Sequence, residues 1–145
     1  MAIQKEKFFD YAATTPVDPD VVEAMMPYWH DEFGNPSSVY GGGQQAMRIL
    51  DNARSIIAQY LNCSVREVYF TSGATESNNI ALQGVLKSGD HCIISSIEHH
   101  AVLDVAQELE KAGIEVSYIK PNKHGLIETQ AIIDKVKENT KLVSI

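Results

Sequence analysis

The sequence predicts an α/β architecture, a parallel sheet flanked by helices and preceded by a helical segment. Three observations carry this. From residue 68 onward, short apolar runs alternate with stripes of apolar residues spaced three and four apart, giving the order β-α-β-α-β-α-β. Val68-Tyr69-Phe70 runs into Thr71-Ser72-Gly73 and then into the helix-competent Ala74–Asn79, which is the pattern of a strand, a tight turn and a helix N-terminus. Ahead of them, residues 1–62 contain helical patterns and an extended entry but no alternating strand. The expected division is therefore 1–62, extended and helical, and 63–145, the first part of an α/β domain.

In chain order, Phe8 to Val17 is extended, since Pro16 keeps its predecessor out of the helical region. Asp18-Pro19-Asp20 starts a helix, with an aspartate N-cap, proline in the first turn and an acid behind it. Val21, Val22, Met25 and Met26 share a face of that helix, which should run to about Phe33-Gly34. Gly34-Asn35-Pro36-Ser37-Ser38 is a loop by composition. Gly41-Gly42-Gly43 reads as a hinge leading into a long helix with Ala46, Ile49, Leu50, Ala53, Ile56, Ile57, Tyr60 and Leu61 on its stripe. No strand precedes these glycines and no Gly-Lys-Ser/Thr follows, so they do not form a phosphate loop. Ser64-Val65-Arg66-Glu67 has capping-box spacing.

After residue 79 the helix keeps Ile80, Leu82, Val85 and Leu86, and Gly89-Asp90 turns into a buried strand, His91–Ser96. Glu98 to Lys111 is expected to be helical, stopped by Gly113. Ile114–Ile119 alternates as a strand, His124-Gly125 turns, Thr129 caps a helix bearing Ile132, Ile133 and Val136, and Leu142–Ile145 is a further strand.

The 145 residues are 44% hydrophobic and 21% charged, the balance of a globular protein. A formal charge of −7, with nine lysines and three arginines scattered, argues against nonspecific nucleic-acid binding. Met1–Lys7 is polar, with no signal-peptide core, and no apolar run approaches a membrane span. Cys63 and Cys92 lack CxxC spacing, so the expectation is a reducing, cytoplasmic setting without disulfides.

Two stretches could carry chemistry. In Ser72-Gly73-Ala74-Thr75, unpaired N–H groups of a first helical turn and the nearby hydroxyls of Ser72 and Thr75 could cradle an anion. An ordinary capped turn fits the same pattern. Glu98-His99-His100 follows a buried strand and should reach the same sheet edge. His99 or His100 is either a cap or an imidazole beside a bound ligand, for stacking or proton transfer. A zinc site from His91, Cys92, His99 and His100 is not expected, because the spacing matches no zinc pattern.

Together these motifs resemble the N-terminal portion of cysteine desulfurases of the NifS/IscS type, in the class-V aminotransferase group of fold-type I pyridoxal-phosphate enzymes. The carriers are Asp10-Tyr11-Ala12-Ala13-Thr14-Thr15-Pro16, Gly34–Ser38, Phe70–Asn79, Glu98–Leu103 and Leu142–Ile145. The resemblance implies part of the three-layer large domain of that fold, with residues 1–62 contributing to the small domain and dimer contact. It implies pyridoxal 5'-phosphate as cofactor, bound at Gly73, Ala74 and Thr75, with His99 stacking on its ring and acting catalytically. Ala13, Thr14 and Asn35 would lie on the substrate side. L-cysteine would yield alanine and an enzyme persulfide for iron–sulfur or thio-cofactor assembly, with a sulfur-acceptor or scaffold protein as partner and a homodimer as assembly. The Schiff-base lysine, the acid partner of the pyridinium nitrogen and the persulfide cysteine would lie beyond the equivalent of Ile145, so residues 1–145 are expected to be inactive by themselves. Tyr40 and Gln44 depart from the family pattern, which commonly has histidine and often arginine there, and carry no role. Selenocysteine lyase, another class-V enzyme and a noncatalytic anion-binding α/β module are the alternatives.

Overall fold

Asp18 accepts a hydrogen bond from the Asp20 N–H (2.9 Å), and Pro19 opens helix α1, Pro19–Met25, as the sequence predicts. The helix does not continue to Phe33, because Pro27 has no N–H to donate. A separate short turn, α2, Pro27–His30, follows instead. The computed structural model describes residues 7–145, so most of the polar opening stretch, from Met1 to Glu6, lies outside it. The chain folds as two compact units, one ending at Tyr69 and one spanning Phe70–Ile145.

In the first unit, helix α3, Gly41–Leu61, begins at the first of the three glycines. The expected hinge is therefore helical, and Gly43 is buried rather than flexible. A Cβ at Gly43 would run into the Ser38 carbonyl oxygen and would sit 2.7 Å from the Asn35 carbonyl oxygen. Glycine is present because the Asn35–Ser38 loop lies on it. That loop is set by Asn35, whose Oδ1 accepts from the Ser37 N–H and whose carbonyl accepts from the Ser38 N–H, both at 2.9 Å. Left-handed Asn62 (φ 51°) ends α3, and Cys63 follows with its N–H on the Ala58 carbonyl, at the helix end where the sequence puts it. Ser64 and Glu67 form the predicted capping box around a 3-10 turn, Val65–Glu67.

The approach to the second unit brings a correction. Residues 68–70 are extended at Val68 (φ −99°, ψ 117°) but form no strand, and Tyr69 is 81% exposed. Apolar β-branched composition makes a strand possible, but a ladder also needs a neighbouring backbone. Among the described residues the sheet therefore has three strands, not four: β1, His91–Ser95; β2, Glu115–Ile119; and β3, Thr140–Ser144. The order is β2-β1-β3, and β1 pairs in parallel with both neighbours, as the alternating pattern predicts. Cys92 faces Val116 and Leu142, and the register slips by one residue between His91 and Cys92 on the β3 side.

Helices α4, Ala74–Val85, and α5, His100–Lys111, pack against each other and against one face of this sheet. Leu82, Leu86, Val102, Val105, Ala106 and Leu109 close over Cys92 and Ile94. Truncating one of these leucines to alanine should cost about 2–5 kcal/mol. On the other face of β1, His91, Ile93 and Ser95 are also buried, which is why this strand reads as a continuous run rather than an alternating one. Gly113, at φ +89°, closes α5 as expected, a backbone angle that side chains rarely adopt. Helix α5 starts at His100, two residues later than its sequence pattern implies, because His99 is its cap. Thr129 is the first residue of helix α6, Thr129–Ile133, rather than its cap, and Glu128 precedes it without a side-chain cap bond.

Candidate active site

The turn into α4 is held from inside. The Ser72 N–H and hydroxyl both donate to Glu76 Oε2 (2.6 and 2.7 Å), which keeps that carboxyl below its ordinary range, the backbone bond contributing most. Thr71 Oγ1 bonds the Gly73 carbonyl (3.1 Å) and lies 2.7 Å from Ser77 Oγ. The Ser72 hydroxyl, a candidate anion donor by sequence, is therefore committed to Glu76. What remains open is the backbone: the first helical N–H to find a carbonyl is that of Ser77, on Gly73. Among the described residues no hydrogen bond occupies the N–H groups of Gly73, Ala74 or Thr75. A Cβ at Gly73 would meet nothing within 4 Å, so the turn is open to an approaching group.

His99 reaches the same place from β1. Its backbone is extended (φ −64°, ψ 150°) and its Nδ1 accepts from the Ala101 N–H at 3.0 Å, so the imidazole is the N-cap of α5. An accepting Nδ1 puts the hydrogen of the neutral ring on Nε2. Thr75 and His99 line one cleft of about 440 Å³ between α4 and α5. Asn79, Gln83, Asp104 and Glu108 extend it along the two helices. His100 lines the same cleft beside His99, with ring planes 70° apart, and its exposed ring sits 3.7 Å from Asp104 on α5. Of the two consecutive histidines, one caps the helix and the other pairs with an acid one turn on.

Ala13, Thr14 and Asn35 belong to the other unit. Ala13 is exposed in a short turn, its N–H on the Asp10 carbonyl (3.2 Å), and Thr14 is exposed beside it. Asn35 shapes the loop over Gly43. Cys92 is fully buried, and burial followed by the Glu110 charge pushes its thiol up to about 11, so it is a packed apolar group. His91 lies at the opposite end of β1 from His99, and among the described residues no cluster of histidine, cysteine and acid groups could hold a metal ion.

The sequence pattern did not mark Glu76, Asn79 or Gln83. The spacing of Ser72 and Glu76, four apart across a helix start, is the one local signal that could have revealed the internal cap. Asn79 and Gln83 form a ladder up α4, from the Thr75 carbonyl to Asn79 and on to Gln83, which only the helical geometry brings to the cleft.

The aminotransferase class-V family matches residues 7–145. The chain belongs to that family. It is 46% identical over 142 residues to cysteine desulfurase IscS 1 of Archaeoglobus fulgidus and 48% identical over 145 residues to cysteine desulfurase IscS of Colwellia psychrerythraea. Each alignment takes in 95% of this chain, but only 37% and 36% of those proteins. Among solved structures, a NifS-like protein superposes with a TM-score of 0.89 at 37% identity, covering 94% of this chain and 39% of that one. SspA in complex with cysteine gives 0.86 at 40% identity, covering 94% and 41%. The chain thus spans little more than a third of the length of these relatives. The match agrees with the NifS/IscS-type resemblance and with the α/β class expected from the pattern, and pyridoxal phosphate is the cofactor characteristic of the family. Among the described residues no helix is long and apolar enough to cross a membrane.

Proposed function

We propose that the protein carrying this chain is a pyridoxal-phosphate cysteine desulfurase, and that Thr75 and His99 form part of its cofactor site. The observation that carries the reading is their convergence on one cleft, in a chain 46–48% identical to cysteine desulfurases. The residues present fit the group: open N–H donors at Gly73, Ala74 and Thr75 suit a phosphate, and an imidazole on the same cleft suits a flat heteroaromatic ring.

When bound, the cofactor acts as the electron sink that lets bonds at the amino-acid α-carbon and side chain break. The chain's own residues bind and orient. The first turn of α4 receives the phosphate on backbone N–H groups, with the Thr75 hydroxyl beside them, while Glu76 stays turned back onto Ser72 and away from the anion. His99, with Nδ1 held by Ala101, can offer or take a proton only at Nε2 while the cap is intact. Ala13, Thr14 and Asn35 contribute on the substrate side, and residues 63–145 form the first part of the cofactor domain, with 1–62 contributing to the small domain and dimer contact.

The overall reaction is removal of sulfur from L-cysteine to give alanine, with the sulfur left as an enzyme persulfide for an acceptor or scaffold protein in iron–sulfur or thio-cofactor assembly. The enzyme works as a homodimer in the cytoplasm. Residues 1–145 by themselves should be inactive, and borohydride fixation of the cofactor to a single lysine within them would contradict this.

The full-length protein should form alanine from L-cysteine. Alanine from selenocysteine and none from cysteine would reject the desulfurase assignment in favour of a selenocysteine lyase. Thr75→Ala in that protein should weaken cofactor retention by about tenfold to a hundredfold, the worth of one hydrogen bond to a charged group. Unchanged retention would remove the hydroxyl from the site.

A further inference from the structure

Glu98, directly before His99, has no role in the proposed reaction, yet it joins elements far apart in sequence. Its Oε1 accepts from Ser144 Oγ at 2.7 Å and its Oε2 from the His99 N–H at 3.3 Å. Ser144 is the last residue of β3, 46 positions away, and the bond is partly buried. The rest of the connection is tied down as well. Ser96 N–H donates to the Ile119 carbonyl at the end of β2 (2.8 Å), and Glu98 N–H returns to the Ser95 carbonyl of β1 (3.3 Å). Ile97 N–H reaches Ser95 Oγ (3.3 Å), on a side chain that is itself buried. Residues 96–99 are thus stitched to all three strands, and among the described residues the tie to β3 is made by the Glu98 carboxylate.

We propose that Glu98 is a positioning residue. Its carboxylate clamps the β1–α5 connection to the end of β3 and so sets where His99 begins α5 and how its ring stands at the cleft. The imidazole is held at Nδ1 by Ala101, but that bond fixes the ring only relative to α5. Fixing it relative to the sheet edge requires the backbone on its other side, and Glu98 supplies that hold. A carboxylate suits the task because both partners are donors, one O–H and one N–H, and bonds to a charged acceptor are the stronger kind. Its effect on the cofactor rests on the proposed desulfurase reading; its effect on the connection does not.

The two halves of the clamp separate by substitution in the full-length enzyme. Ser144→Ala removes the tie to β3. Glu98→Gln keeps one carbonyl oxygen, enough for one of the two donors but not for both. The primary readout is hydrogen exchange of residues 96–103 in the cofactor-free enzyme. Both variants should lose protection there by about tenfold, consistent with one charge-assisted bond, and the double variant should lose no more than the larger single loss. Exchange in the β1 and β2 cores should stay as in the parent. After reloading with pyridoxal phosphate, both variants should show a weakened visible circular dichroism of the bound cofactor and about tenfold weaker retention. Unchanged exchange of 96–103 in both variants would overturn the clamp, as would loosening spread evenly across the sheet. Should exchange rise while the cofactor's dichroism is unmoved by Glu98→Gln and by His99→Ala alike, the clamp stands and the stacking reading of His99 falls.

Discussion

The two ends of β1 carry two histidines with opposite assignments of their ring nitrogens. His91, at the strand's start, is fully buried, with Nδ1 2.7 Å from Thr140 Oγ1 on β3 and Nε2 2.9 Å from Ser117 Oγ on β2. His99, past the strand's end, spends only Nδ1, on a cap, and lines an open cleft. Both are neighbours of one strand in one sheet. One has both ring nitrogens spent on holding the sheet together, and the other, among the described residues, has no hydrogen bond at Nε2. What separates a structural histidine from a candidate catalytic one here is the count of ring nitrogens already satisfied by the fold.

The hardest way to break that contrast is His91→Ala in the full-length enzyme. The substitution empties a buried site between three strands and leaves the hydroxyls of Ser117 and Thr140 without the ring between them. A loss of about 3–5 kcal/mol is expected, from the cavity and the stranded polar groups together. Urea unfolding measures it. A loss under about 1 kcal/mol, the size of a surface change, would mean that the ring holds nothing.

A smaller effect belongs to the other end. His99→Ala should remove a helix cap worth about 1 kcal/mol from the cofactor-free enzyme, and His99→Asn, which can also cap, should restore most of it. Neither replaces the imidazole, so both should weaken the visible dichroism of the bound cofactor. Restoration of that signal by asparagine would show that His99 acts only as a cap, making the two histidines alike in kind.

The sequence pattern reaches these assignments unevenly, for reasons of range. Caps such as Asp18-Pro19 and the Ser64–Glu67 box, and the stop at Gly113, depend on neighbours within four residues and are legible in composition. So are the apolar runs of β1 and β2 and the candidate stretch at Ala74 and Thr75. Residues 68–70 have strand composition but no ladder, because pairing depends on a backbone distant in sequence. Gly43 looks like a hinge until the Asn35–Ser38 loop is seen lying on it. His91 and Glu98 escape for the same cause: their partners are 26, 49 and 46 positions away, and nothing local distinguishes a histidine at a strand's start from one at a surface.

The finest test of the contrast is pH. Burial, and then the nearby Lys137 charge, push His91 below its ordinary value of 6.5, while Glu115 opposes this. Above about 6.5 the ring is neutral in both the folded and the unfolded chain, and the stability it supports is intact. As pH falls through that value the unfolded chain takes up a proton that the folded one refuses. Stability should therefore decline until the lower folded value is passed. Glu115 acts in a separate, more acidic window: its bond to Lys137 holds its carboxyl below 4.5, so its contribution is present above that and lost as pH falls through the folded value. The comparison is with His91→Gln, whose amide can still bond both hydroxyls but takes no proton. Between about pH 7 and 5 the parent should lose unfolding free energy more steeply than this variant. Equal slopes would mean that His91 is as free to charge as an exposed histidine, and the distinction between the two ends of β1 would no longer rest on proton accounting.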